Sequence, residues 1–279
     1  QVPVIGVGRY TDPFEADKAI ARGEADLIAF GRQHLADPDF LINAVQGRSE
    51  NTFTCLACNQ GCIERLLFEG KSVRCAINPE TGQELRYPQA QAQKKRNLWV
   101  IGAGPAGLTA ASEAARLGHK VTLFEKDQRV GGQVLLAARP PHKEVYAAWI
   151  EQLKHRAEKH GARLFTSTEI DEKKVREGKP EYVILASGGQ SMVADIKGAD
   201  RPEVCDAWSI LRGDKPVGKR VTVIGGGLVG METADYLYAN GADEVTVLEA
   251  ETRPPVSSLT SHGYMLNRRL RQAGLRLIL

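Results

Sequence analysis

Four cysteines stand in the order Cys55-x2-Cys58-x3-Cys62-x12-Cys75, ahead of the glycine run Gly102-Ala103-Gly104-Pro105-Ala106-Gly107. Three thiols within eight residues suit the corners of an iron-sulfur cube, whose usual ligands are thiolates. Structural zinc normally takes two separated Cys-x-x-Cys knuckles, and only one is present. A cluster is therefore the first expectation, with zinc and disulfides as the alternatives. Cys205 stands by itself and reads as a small buried residue. A metal-sulfur centre next to a nucleotide site points to electron transfer.

The glycine run has the context that gives such a motif meaning. Leu98-Trp99-Val100-Ile101 reads as a buried strand, and an alanine-rich helix follows the glycines to Leu117, with Gly118 as its stop. A second strand, Val121 to Phe124, ends in Glu125, twenty-three residues past Gly102. Gly102 makes the tight turn, Gly104 lets the backbone approach a pyrophosphate, and Gly107 lets the helix pack on the strand. The helix N-terminus then faces phosphates, and Glu125 can accept from a ribose diol.

The same unit recurs downstream. Arg220 to Ile224 leads into Gly225-Gly226-Gly227-Leu228-Val229-Gly230, a helix to about Asn240, the stop Gly241, and a strand Glu244 to Leu248 that ends in Glu249. A carboxylate at this place binds an unmodified ribose and repels a 2′-phosphate, which favours NAD(H) over NADP(H). Nearby Arg253 is the residue that speaks for the phosphate. Between the two units, Tyr182 to Leu185 reads as a buried strand released into the small-residue turn Ala186-Ser187-Gly188-Gly189.

Residues 1 to 50 read as strand, helix, strand, helix: a buried strand from Val2 to Val7, a helix from about Asp12 to Arg22 closed by Gly23, and a strand from Ala25 to Phe30. This is a β/α repeat with parallel strands. Its strands finish in Gly8-Arg9 and Gly31-Arg32, so equivalent ends each offer backbone N–H groups and a guanidinium. Paired loops of this sort hold a phosphate at the end of many (β/α)8 barrels. After the cysteines a short helix is expected from Ile63 to Glu69, ended by Gly70, and the polar stretch from Gln83 to Arg96, with Pro88, reads as a linker. Both ends of the chain fall within expected strands, Val2 to Val7 and Leu275 to Leu279, which suggests part of a longer polypeptide.

Composition bounds the rest. The chain has 279 residues, 42% hydrophobic and 25% charged, enough for about two domains without disulfide staples. A net charge of +3 from scattered basic residues offers no nucleic-acid groove and no anionic-membrane face. No signal peptide or apolar run of about twenty residues is seen, so the expected compartment is the cytoplasm, where thiols stay reduced. The six histidines, His34, His119, His142, His155, His160 and His262, are catalytic candidates only by residue type and read as surface or core residues.

These residues resemble a known group. Two tandem fingerprints, with Ala186-Ser187-Gly188 where the pattern usually has Ala-Thr-Gly, resemble the two-dinucleotide flavoprotein disulfide reductases. Pro3 to Arg9, Ala25 to Pro38 and Cys55-x-x-Cys58-Asn59-Gln60-x-Cys62 resemble the 2,4-dienoyl-CoA reductase, enoate reductase and trimethylamine dehydrogenase group. The resemblance covers essentially the whole chain.

It implies an α/β fold: residues 1–50 as the C-terminal part of an FMN-binding (β/α)8 barrel, 51–95 as an iron-sulfur segment and linker, 96–214 as an FAD-binding domain, and 215–279 as an incomplete NAD(P)H-binding domain. Cys55, Cys58, Cys62 and Cys75 would ligate a 4Fe-4S cluster, and Gly8, Arg9, Gly31 and Arg32 would hold the FMN phosphate. Gly102, Gly104, Gly107, Glu125 and the Gly131-Gly132-Gln133 turn would contact FAD, or ADP as in the amine-oxidising members. Gly225, Gly227, Gly230 and Glu249 would contact NAD(H).

The implied activity passes electrons from NADH through FAD, the cluster and FMN to an activated C=C bond of an unsaturated acid or acyl thioester. The alternatives are an amine dehydrogenase with an electron-transfer protein partner, and an electron-input subunit resembling the glutamate synthase small subunit. No nucleic acid or membrane partner is implied, and an oligomer is left open. A whole barrel takes about 250 residues, so the family's proton-donating residues lie outside this sequence and no catalytic acid is assigned.

Overall fold

The structure, a computed structural model, describes residues 2–86, 91–192 and 195–279. They form two compact units: residues 1–131 with 148–187, and residues 132–147 with 188–279. The central part of the expected linker, including Pro88, lies outside the described residues.

The first unit opens with β1 (Ile5–Val7), α1 (Pro13–Ala21), β2 (Leu27–Ala29), α2 (Arg32–Ala36) and α3 (Phe40–Val45). The α1 helix starts where local chemistry dictates. Asp12 caps it by accepting from the Phe14 N–H at 2.8 Å, and Pro13 occupies the first turn, where its missing N–H costs nothing. Strands β1 and β2 pair in parallel, Val7 opposite Ala29, so Gly8-Arg9 and Gly31-Arg32 leave neighbouring strands at the same sheet end. The first of these strands is expected to be buried. Val4, Ile5 and Val7 are instead exposed, as is Leu27 of β2, because this sheet has two strands among the described residues.

The cysteine segment follows, with a π-helical turn at Gln60–Glu64 running into α4 (Arg65–Leu67) in place of the helix expected from Ile63 to Glu69. Its entry is set by Asn59, whose left-handed backbone (φ 60) suits asparagine better than most residues.

A dinucleotide fold completes the unit: β3 (Asn97–Ile101), α5 (Pro105–Arg116) and β4 (Lys120–Phe124) come first. The short α6 (Val134–Ala137) belongs to the other unit, and α7 (Glu144–Lys159) precedes β5 (Arg163–Phe165), α8 (Glu172–Gly178) and β6 (Tyr182–Leu185). The sheet is parallel throughout, in the order β5-β4-β3-β6. Helix α5 buries Leu108, Ala111, Ser112 and Ala115, the spacing of one helical face. Leu108 is fully enclosed, and its truncation to alanine would cost about 3 kcal/mol. The β6 strand, expected to be buried, is half open: Leu185 is 75% exposed, since β6 lies at the sheet edge.

The second unit contains α9 (Ala207–Arg212), β7 (Arg220–Ile224), α10 (Leu228–Ala239), β8 (Glu244–Leu248), α11 (Ser261–Gln272) and β9 (Arg276–Ile278). Its three parallel strands run β7-β8-β9, so it repeats the first three strands of the other fold. The core gathers Met231, Ala234 and Leu237 of α10, Val245 and Val247 of β8, and Leu266 and Leu270 of α11. Arg269 clamps α11 to α10 by a forked ion pair with Asp235, its closest approach being 2.6 Å. Among the described residues no helix is long and apolar enough to cross a membrane.

Candidate functional site

Cys55, Cys58, Cys62 and Cys75 line one cavity together with Arg32, Leu35, Asn59 and Ile77. Two elements distant in sequence hold the segment in place. From α2, the buried Gln33 donates to the Phe53 carbonyl at 2.7 Å and accepts the Cys55 N–H at 2.9 Å, while Asp37 accepts the Phe53 N–H at 2.9 Å. The Leu35 carbonyl accepts from Asn78 at 3.0 Å and Thr81 at 2.7 Å, which steadies the turn beyond Cys75. From α7, Gln152 exchanges two hydrogen bonds with Thr54 and Arg156 lies 3.7 Å over the Phe53 ring. Gly61 lets the two cysteine-bearing stretches approach, since a Cβ there would sit 2.9 Å from the Arg74 carbonyl oxygen and 3.1 Å from Cys75 Cα.

Burial pushes the Cys55 and Cys58 thiols above their ordinary pKa, opposed by backbone N–H groups of Ala57 and Gln60. No group of three or more His, Cys, Asp or Glu among the described residues is drawn round a point so as to hold a single metal ion. The four cysteines expected to ligate metal are brought to one cavity, and none of them forms a disulfide. Cys205, expected to be buried, is exposed.

Of the two arginines at the strand ends, Arg9 is exposed with a left-handed backbone (φ 59). Arg32 turns towards the cysteines: its Nη1 donates to Asn59 Oδ1 at 2.5 Å, and its side chain forms part of their cavity. Spacing alone did not reveal that contact, nor the bracing by Gln33 and Asp37. The only signal was that polar residues directly follow Gly31.

The two glycine fingerprints have closely matching loops. Gly102 and Gly225 share φ 100, and a Cβ on Gly107 or Gly230 would collide with the carbonyl oxygen of Gly102 or Gly225 respectively. Gly104 and Gly227 cap α5 and α10 with nothing near their Cα, which leaves room for a ligand to approach the backbone. In the first loop Ala103 N–H donates to Glu125 Oε2 at 2.7 Å, and Asp127 N–H to Oε1 at 3.0 Å. In the second, Gly226 N–H donates to Glu249 Oε2 at 2.7 Å, and Glu251 N–H to Oε1 at 2.9 Å. Those bonds, the Glu251 one first, hold the Glu249 carboxyl below the usual range. A carboxylate has about four lone-pair sites, so each acid keeps capacity for a ribose hydroxyl.

Gly131 and Gly132 both have positive φ, and the Gly131 N–H donates to the Ala103 carbonyl at 2.8 Å, which brings this turn to the first fingerprint. In the second unit, Gln133 donates to the Gly189 carbonyl at 3.1 Å. Arg253 is exposed. Three histidines are tied into local structure: His155 contacts Asn51, His160 contacts Ser112, and His262 contacts Glu232 at 2.8 Å. Glu232 also receives Lys143 at 2.5 Å. Burial pushes the Glu232 carboxyl up, but its bonds to His262 and Lys143 outweigh this and hold it below the usual range.

The parallel-sheet units and the β/α element before them are matched by known families of redox protein. Residues 96–279 match the pyridine nucleotide-disulphide oxidoreductase family, and this chain belongs to it. Residues 1–51 match the NADH:flavin oxidoreductase / NADH oxidase family. The chain is 41% identical over 256 residues to the NADH oxidase of Thermoanaerobacter brockii, covering 89% of this chain and 39% of that protein. It is 35% identical over 250 residues to the cinnamate reductase of Clostridium sporogenes, covering 90% of this chain and 37% of that protein. A solved 2-naphthoyl-CoA reductase in complex with 2-naphthoyl-CoA superposes with a TM-score of 0.93 at 32% identity, covering all of this chain and 42% of that one. The chain thus spans about two fifths of the length of these relatives.

Proposed function

We propose that this chain is the electron-input part of an NADH-dependent iron-sulfur flavoprotein oxidoreductase that reduces an activated C=C bond in an unsaturated acid or acyl thioester. The observation that carries the reading is the cavity lined by all four cysteines and by an arginine from the β2 strand end. A cube presents its irons at separate corners, so its thiolates ring a volume and do not converge on a point. Four half-buried thiols round one cavity, with Leu56 and Ile77 in its wall, fit that requirement. With the groups bound, two electrons delivered as hydride by NADH would pass singly through the cluster between two flavins and reach the substrate as hydride, with a proton completing the C=C reduction.

The roles of this chain's own residues follow. Cys55, Cys58, Cys62 and Cys75 would hold the 4Fe-4S cluster. Gly8, Arg9, Gly31 and Arg32, on neighbouring strand ends, would hold the FMN phosphate. Gly102, Gly104, Gly107, Glu125, Gly132 and Gln133 would bind FAD, and Gly225, Gly227, Gly230 and Glu249 would bind NAD(H). Residues 1–50, 51–95, 96–214 and 215–279 would then serve as barrel end, cluster segment, FAD domain and nicotinamide-nucleotide domain. The names of the cinnamate and naphthoyl-CoA reductases support the substrate class.

The test is electron paramagnetic resonance on the full-length protein, prepared without oxygen and reduced with dithionite. A 4Fe-4S signal lost in Cys62→Ser is expected; a wild-type protein without one sinks the reading. Flavin bleaching by NADH is expected as well, and bleaching by an amine but not NADH would turn the assignment to an amine dehydrogenase.

A further inference from the structure

Arg32 sits where two assignments meet. Its position at the end of β2 gives it to the FMN phosphate, yet its guanidinium donates to Asn59 Oδ1 and lines the cysteine cavity. Asn59 lies between Cys58 and Cys62 and is held left-handed by the turn, so it presents its amide oxygen from within the ligand loop itself. No carboxylate lines that cavity among the described residues, and Arg32 is the cation in its wall.

We infer that the Arg32–Asn59 contact makes Arg32 an electrostatic partner of the iron-sulfur centre, stabilising its reduced state and raising its reduction potential. This inference rests on the ligand set proposed above. The step concerned is a one-electron reduction that adds one negative charge to the centre and makes or breaks no bond. The electron comes from a reduced flavin in turnover and from dithionite in the test. A fixed positive charge beside the thiolates favours the more negative state, and nearby charge and hydrogen bonding are what tune such centres. One side chain shared between phosphate loop and ligand loop also ties the positions of the two centres together.

The experiment is a potentiometric titration of the full-length protein without oxygen, followed by the cluster's paramagnetic signal, with bound iron measured in parallel. Arg32→Gln is expected to lower the one-electron equilibrium constant on the order of tenfold, which is 59 mV. Arg32→Lys should restore most of the shift, because it keeps the charge. Asn59→Leu, which frees the guanidinium without removing it, should give a smaller shift in the same direction. A merely structural role would lower iron content and leave the potential of the remaining clusters where it was.

An unchanged potential in Arg32→Gln at full iron content overturns the inference. If Arg32→Gln assembles no cluster, an unchanged potential in Asn59→Leu overturns it. A wild-type protein lacking the signal would refute the ligand set, a distinguishable result.

Discussion

The two glycine loops share their local geometry and differ in what covers them. In the first, a Cβ on Gly102 would collide with the Ala186 carbonyl oxygen, because β6 and its turn lie against β3. In the second, a Cβ on Gly225 meets nothing within 4 Å, because among the described residues β7 has β8 on one side and no strand on the other. The acids differ likewise: Glu125 is 7% exposed and Glu249 half-buried. Matching motifs therefore impose matching backbone turns, while burial is imposed by the neighbouring strand.

The largest expected effect sharpens what the loops have in common. Gly107→Ala and Gly230→Ala should each destabilise their own unit by about 3 kcal/mol, since either Cβ strikes the carbonyl of the first glycine. Urea denaturation read by circular dichroism would measure both. A clear inequality would break the claim that the loops are locally equivalent.

Next, Gly102→Ala and Gly225→Ala should part company. Both residues have φ 100, which alanine adopts at a cost of about 1–2 kcal/mol. Gly102→Ala adds the collision with Ala186 and should lose about 2 kcal/mol more than Gly225→Ala. Equal losses in the same assay would show that the β6 turn yields readily and that the contrast in cover has no energetic content.

A smaller effect separates the acids. Glu125→Gln leaves a buried loop with one of its two N–H donors poorly served and should cost about 1–2 kcal/mol. Glu249→Gln should chiefly affect ligand choice, raising the Kd for NADH about tenfold through the lost charge-assisted ribose bond. Isothermal titration calorimetry would show it, and an unchanged Kd would remove Glu249 from the nucleotide site.

The smallest effect is a pH dependence. The folded-state pKa of Glu249 lies below its unfolded value, so its contribution to stability is complete above about pH 4.3 and lost as pH falls through the lowered folded value. Glu249→Gln should lower stability above about pH 5 by this contribution and flatten the acid limb, so that the two curves converge as pH falls. Thermal melts between pH 3 and 6 would detect it. An unaltered acid limb would mean that the Glu251 and Gly226 bonds do not persist in solution.

Much of the fold was legible in the residues themselves. Hydrophobic runs, ending in glycine for β3 and β7 and in an acid for β8, marked these strands to within a residue, because strand and tight turn are set by local propensity and, at the first two, by the φ only glycine takes easily. The cysteine spacing, the acids Glu125 and Glu249, and the neighbouring strand ends of β1 and β2 were likewise readable, since each depends on separations along the chain. Burial and long-range partners were not. The exposed faces of β1, β2 and β6 follow from how many strands each sheet contains. The π-helical turn at Gln60–Glu64 follows from the left-handed Asn59 and from Gly61 packing on Arg74 and Cys75.

The sequence by itself determined where the four cysteines and the two glycine turns fall and in what order, because spacing and glycine turns are local properties. Only the tertiary structure decided that Gln33, Asp37 and Gln152 brace the cysteine loop and that Arg32 reaches it through Asn59. Those contacts join residues between 16 and 98 positions apart, and no local propensity encodes such distances.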